Sequence, residues 1–115
     1  MPGFRVRDPR GTAPPVTLAS LAPRPPTLEG KTVWLLRSWA EGSGFELLLS
    51  AIAQSLRSRF PGVNVLERSK PSAYSLDDPA LWATMVDGAD AFVYAGAPSA
   101  STTHYAVHYL SLIHI

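Results

Sequence analysis

Three short, largely apolar runs, separated by two stretches with helical spacing, place the strongest limit on how this chain can fold. The runs are Thr32–Leu36, Val63–Leu66 and Ala91–Ala95. Such runs are typical of strands buried on both faces of a parallel sheet, and helices between them form right-handed crossovers. The sequence therefore predicts an α/β domain with a Rossmann-like or flavodoxin-like parallel sheet. For these strands we expect the order 2-1-3.

The stretches between the runs carry start and stop signals for helices. Ser43-Gly44-Phe45-Glu46 has the capping-box pattern, in which the Ser43 hydroxyl caps the helix and Glu46 reaches back. Pro61-Gly62 ends this helix, whose apolar stripe is predicted to be Phe45, Leu48, Leu49, Ile52, Leu56 and Phe60. Asp78 is predicted to cap a second helix, with Pro79 in its first turn. This helix is expected to end at Gly88, and its apolar side to be Leu81, Trp82, Met85 and Val86.

The two ends of the chain differ from its middle. Residues 1–28 are rich in proline and arginine without helical or strand spacing, which predicts an extended arm. Its basic charge could contact a phosphate backbone, but a solvated tail or a partner-covering arm is the favoured interpretation. Residues 29–109 form the predicted domain.

Residues 110–115 match one reading frame of a transposon sequencing adapter, CTG TCT CTT ATA CAC ATC. We interpret them as an adapter scar and exclude them from fold reasoning. On this interpretation the α/β domain is incomplete at its C-terminus. The alternative is an ordinary apolar end of a helix or strand.

Composition excludes several classes of protein. The chain of 115 residues, 46% of them hydrophobic, suits one small domain. It has no cysteine, which excludes a disulfide scaffold, a thiolate zinc site and a cysteine nucleophile. A formal net charge of +1 provides no strong field for nucleic acid or an anionic membrane, and no apolar stretch is long enough for a membrane span. We expect a cytoplasmic protein that binds neither.

The predicted sheet also locates a candidate site. Ligands of open α/β sheets bind at the carboxyl ends of the strands, where the strand order reverses. Here residues 38–43 would face residues 96–103, which lead into a third helix whose start favours phosphate or carboxylate. The alternative is that these hydroxyls only cap the helix and turn the chain. The predicted ligand-binding residues are Ser38, Trp39, Ser43, Gly96, Ser99, Ser101, Thr102 and Thr103.

Other motifs are weaker. Trp39 could stack on a planar ligand, although a tryptophan at this place more often covers the edge of a core. His104 and His108 would share a helix face, but they lack a third ligand, so no metal site is predicted. Residues 97–101 have the spacing of a nucleophile elbow without its glycines, and no phosphate-loop or G-x-G-x-x-G pattern occurs. The sequence assigns no catalytic residue and no cofactor.

Four segments together resemble the UGSC family, namely Leu21–Arg24, Leu28–Val33, Arg59–Val63 and Lys70–Ala73. The resemblance implies a Rossmann-like domain with the motif Gly-Asp-(Sec/Cys)-Gly-Ser-Cys-Thr after a strand. That motif would fall on residues 96–102, where Pro98 and Ser101 stand in place of the two redox residues and only Gly96 and Thr102 match. Without thiol or selenol, such a pair cannot perform two-electron exchange.

Two functional hypotheses follow. The first is a UGSC-like domain that binds a small anionic ligand or substrate without thiol redox chemistry, whether or not it is an enzyme. The second is a non-catalytic subunit that uses the arm and apolar surface to form a homo-oligomer or to bind another partner.

Overall fold

A computed structural model describes residues 3, 11–12, 15, 20, 22–38, 44–73, 75–95, 103–105 and 107–108. The chain forms, in order, β1 (Thr32–Arg37), α1 (Phe45–Arg59), β2 (Asn64–Ser69), α2 (Pro79–Gly88) and β3 (Ala91–Ala95). The predicted alternation of strands and helices is confirmed. No helix among these residues is long and apolar enough to cross a bilayer.

The three strands form one parallel sheet in the order β2-β1-β3, as predicted. Val33 in β1 is the register partner of Val65 in β2 and of Ala91 in β3. The central strand is the most deeply buried element, and its Leu35 and Leu36 side chains are fully buried. Burial of a leucine side chain stabilises a fold by about 1.5–3 kcal/mol, so β1 is the main support of the sheet.

The two helices cover opposite faces of the sheet because β1 side chains alternate between the faces. On the α1 face the core consists of Val33, Leu35, Leu49, Ala53, Val63 and Val65. On the α2 face it consists of Trp34, Leu36, Trp82 and Met85. The crossover from β1 to β2 and the crossover from β2 to β3 run in opposite directions across the sheet, so right-handed connections place α1 and α2 on opposite faces. The strand order therefore reverses between β1 and β3.

The sequence predicted the position of α1 better than its buried face. The helix begins at Phe45 with Gly44 at the N-cap, where φ is 82° and the residue itself has no side chain that could cap the helix. The predicted cap residue, Ser43, lies outside the described residues. Leu48 was expected in the apolar stripe but is 49% exposed, whereas Ala53 is fully buried. The face that meets the sheet is centred on Leu49 and Ala53, which leaves Leu48 on its flank.

The N-terminus of α2 agrees with the prediction, because Asp78 Oδ1 accepts a hydrogen bond from the Leu81 amide at 3.3 Å. Trp82 and Met85 are buried as expected. Val86, which was also assigned to the apolar side, is 56% exposed, so that assignment is wrong. It lies beyond the narrow stripe that contacts β1.

At the amino ends of the strands, the turn between α1 and β2 contacts the start of β1. The Gly62 amide donates to Glu29 Oε1 at 2.6 Å, and the Gly30 amide donates to the Gly62 carbonyl at 3.2 Å. A Cβ atom on Gly62 would collide with the Glu29 carboxylate, so the absence of a side chain permits this approach. These contacts fix the start of β1 against the turn that leads into β2.

Candidate functional site

The carboxyl ends of β1 and β3 are joined at the place where the strand order reverses. Ser38, which directly follows β1, is buried with 8% of its surface exposed. Its amide donates to the Ala95 carbonyl at 3.1 Å, and its hydroxyl lies 3.5 Å from the same oxygen. Ser38 is therefore fixed at the mouth of the predicted crevice.

The predicted ligand-binding residues are only partly within the described structure. Ser38 and Thr103 are described, and Thr103 is exposed in a helical segment at 103–105. Tyr105 packs against the α2-face core, which puts this segment on the same side of the sheet as α2. The predictions for Trp39, Ser43, Gly96, Ser99, Ser101 and Thr102 fall on residues outside the described part of the chain.

His104 and His108 are both exposed. The His104 ring makes an edge contact with Tyr105, with 6.0 Å between ring centroids. Within the described ranges, no three His, Cys, Asp or Glu side chains are grouped so that they could hold a metal ion.

A polar cluster on the other side of β1 was not predicted from the sequence. Arg37, the last residue of β1, has a side chain that is only 15% exposed. Its Nη1 donates to Glu46 Oε1 at 2.6 Å, and its Nη2 and Nε donate to Ser69 Oγ at 2.7 and 3.2 Å. The only sequence signal for this cluster is an arginine that directly follows an apolar strand.

The sequence model of the UGSC family matches residues 5–109, which is most of the chain. The chain belongs to the UGSC family. No curated protein and no solved structure shows a significant match to it. The segment in which the UGSC motif would fall, residues 96–102, lies outside the described residues, and in this member it contains Pro98 and Ser101 rather than thiols.

The segments that carry the resemblance to other UGSC proteins have structural roles where they are described. Leu28–Val33 and Arg59–Val63 meet at the amino edge of the sheet through the contacts of Glu29 and Gly62. Lys70–Ala73 begins the loop between β2 and α2 at the opposite edge. These UGSC segments therefore lie at both ends of the strands, where their contacts hold the sheet and its loops together.

Lys70 organises that loop and was not recognised as a structural residue from the sequence. The residue is 6% exposed, and its Nζ donates to the carbonyls of Ala73 at 2.7 Å and Leu76 at 2.5 Å, and to Ser72 Oγ. Burial lowers the pKa of the Lys70 ammonium, and this is opposed by the negative charges of Asp78 and Asp77. The Lys70 amide also donates to the Arg37 carbonyl at 2.8 Å, which joins the loop to β1.

Proposed function

We propose that this UGSC-family domain binds a small anionic ligand or substrate between the carboxyl ends of β1 and β3, without thiol redox chemistry. The observation that carries the proposal is the reversal of strand order between β1 and β3, with α1 and α2 on opposite faces. Open α/β sheets bind their ligands in the crevice at this point. Ser38, fixed on the Ala95 carbonyl, would form one wall of it.

The preference for an anion rests on the segment that follows β3. Ser99, Ser101, Thr102 and Thr103 lead into the helical turn at 103–105. The free backbone N–H groups and the dipole at a helix start favour phosphate or carboxylate, and hydroxyl groups add further donors. The full set of proposed ligand-binding residues adds Ser38, Trp39, Ser43 and Gly96.

Composition supports the chemistry of the proposed ligand and the location of the protein. The chain has no cysteine, so a ligand in this crevice would meet hydroxyl and amide groups rather than a thiol pair. The same composition supports a cytoplasmic location. The net charge of +1 supports a small-molecule ligand in preference to nucleic acid or a membrane surface.

The test combines a triple variant with a matched control. Ser99, Ser101 and Thr102 are replaced together by alanine, and binding of inorganic phosphate and of acetate is measured by calorimetry and NMR. We expect both the unchanged chain and the control, in which the exposed α1 residues Ser50, Ser55 and Ser58 become alanine, to bind at least one of the two anions. The triple variant is expected to lose this binding. Binding that survives in the triple variant would show that the site is elsewhere.

A second candidate function is supported by the outer edge of β3, on the side away from β1. Among the described residues β3 pairs with β1 alone, and its five residues are apolar or aromatic and half-buried. A groove of about 360 Å³ lies beside it, between Pro23–Pro25 of the arm and residues of α2 and β3. Such an edge accepts another chain, which would make the protein an oligomer-forming or partner-binding subunit.

The two functions predict different results for the same variants. Under the second, the triple alanine variant keeps the oligomeric state of the unchanged chain by light scattering, and neither protein binds phosphate or acetate. Removal of residues 1–28 would then change the oligomeric state.

A further inference from the structure

A cavity of about 200 Å³ lies on the β2 side of β1, away from the proposed crevice between β1 and β3. Its lining comes from the strand ends and the first turns of α1, namely Arg37, Glu46, Leu49, Glu67, Arg68 and Ser69. Arg37 and Ser69 are register partners, as are Leu35 and Glu67. Because strand side chains alternate, Arg37 and Glu67 project on the same face as Leu35, which packs against the α1 core.

The Arg37 guanidinium retains hydrogen-bonding capacity. A guanidinium has five N–H donors. Three donors are used, one on Glu46 Oε1 and two on Ser69 Oγ. The other two have no acceptor among the described residues. The three bonds made by Arg37 hold the group in place, so a carboxylate that enters the cavity meets a fixed donor rather than a mobile side chain.

Glu67 supplies a negative charge to the same cavity. No side chain of the described ranges forms an ion pair with its carboxylate. The adjacent Arg68 lies on the other face of the sheet, because its guanidinium carbon is 5.5 Å from the centroid of the Trp34 ring. Arg68 Nη1 donates at 3.1 Å to the main-chain oxygen of Glu67, not to its side chain. Among the described lining residues, the charged groups on the α1 face of the sheet are therefore the Arg37 guanidinium and the carboxylates of Glu46 and Glu67.

We propose that this cavity binds a small zwitterion with an ammonium next to a carboxylate, as in an α-amino acid. Its carboxylate would accept hydrogen bonds from the two remaining Arg37 donors, and its ammonium would pair with Glu67. A simple anion fits less well because the carboxylates of Glu46 and Glu67 repel it. A simple cation leaves the donors of Arg37 without an acceptor. This site shares no residue with the proposed crevice and does not depend on it.

The test uses the full chain labelled with ¹⁵N and four probes, glycine, L-alanine, acetate and methylamine, each added to about 10 mM, where millimolar affinities are measurable. We expect glycine and L-alanine to shift the amide signals of Glu67 and Ser69 and the Nε–H signal of Arg37. Acetate and methylamine should bind at least about ten-fold more weakly, because each forms only one of the two charge-assisted contacts.

Glu67→Gln and Asp87→Asn form a matched pair, since each removes one negative charge from an exposed side chain, and Asp87 lies on α2 away from the cavity. Glu67→Gln should weaken binding of L-alanine by about ten-fold or more, and Asp87→Asn should leave it unchanged. The proposal is overturned if neither amino acid shifts these signals, if acetate or methylamine binds as well as L-alanine, or if Glu67→Gln binds like the unchanged chain. Because none of these changes touches residues 96–103, failure here leaves the crevice proposal standing.

Discussion

Asp90 and Thr32 exchange two hydrogen bonds across the amino ends of β3 and β1. The Thr32 amide donates to Asp90 Oδ2 at 2.9 Å, and the Asp90 amide donates to the Thr32 carbonyl at 2.9 Å. The other carboxylate oxygen of Asp90 lies 3.0 Å from the Lys31 ammonium. The carboxylate therefore joins two strands that are far apart in sequence.

This contact makes stability depend on pH. The hydrogen bond from Thr32 and then the contact with Lys31 lower the pKa of Asp90. A carboxyl group with a lower pKa in the folded than in the unfolded chain contributes its full stabilisation above the unfolded value, about 3.9, and loses it as pH falls through the folded value. Urea unfolding between about pH 7 and pH 2 should show a smaller acid loss of stability for Asp90→Asn than for the unchanged chain. An identical loss in both proteins would contradict this role.

Replacement of Lys70 by methionine should destabilise the loop between β2 and α2. The carbonyls of Ala73 and Leu76 would lose their donor, at a cost of about 1–3 kcal/mol in the free energy of unfolding. Urea unfolding measures this cost. Arg59→Met, at an exposed position in the last turn of α1, serves as the control and should change stability by less than about 0.5 kcal/mol. Equal effects of the two substitutions would show that the Lys70 contacts contribute nothing.

A double-mutant cycle tests the contact between Glu29 and Gly62. Gly62→Ala should cost about 1–2 kcal/mol, because the new Cβ displaces the Glu29 carboxylate from the Gly62 amide. In a Glu29→Ala background the same change should cost much less, since the colliding group is gone. Equal costs in both backgrounds, measured by chemical unfolding, would rule out the contact as the reason for a glycine at position 62.

Leucine-to-alanine substitutions at buried and at exposed positions should have very different effects on the free energy of unfolding. Leu35→Ala removes a fully buried side chain from the centre of the sheet and should lower the free energy of unfolding by about 2–5 kcal/mol. Leu47→Ala changes a side chain that is 78% exposed and should have an effect below about 0.5 kcal/mol. Thermal unfolding of both variants measures the difference. Similar losses in the two would mean that the burial pattern is wrong.

Local signals were enough to predict the order of elements. The apolar run of β3 was predicted with its observed bounds, and Asp78 caps α2 as its position before a proline indicates. The end of β2 was missed because Glu67 to Ser69 are polar and remain in the strand through pairing with β1. Leu48 was misassigned because the helix period alone does not determine which side of α1 meets the sheet.

The residues of the candidate site also fall into those that sequence rules can predict and those that depend on how the elements pack. Ser38 lies where the carboxyl ends of β1 and β3 meet, and this position could be predicted because it needs only the order of the strands. The cluster of Arg37, Glu46 and Ser69 was missed because its members come from three elements. Their proximity depends on the register of β1 with β2 and on the angle at which α1 crosses the sheet. Neither quantity is encoded in a short motif.

The burial of β1 on both sides has a consequence for how the domain opens. Trp34 belongs to one core and Leu35, the next residue, belongs to the other. Loss of either layer exposes only the β1 side chains of its own face, while the backbone of β1 stays paired with β2 and β3. The amides of β1 should therefore exchange with deuterium only when the whole domain unfolds. Amides of α1 and α2 that exchange with the same free energy belong to the same cooperative unit.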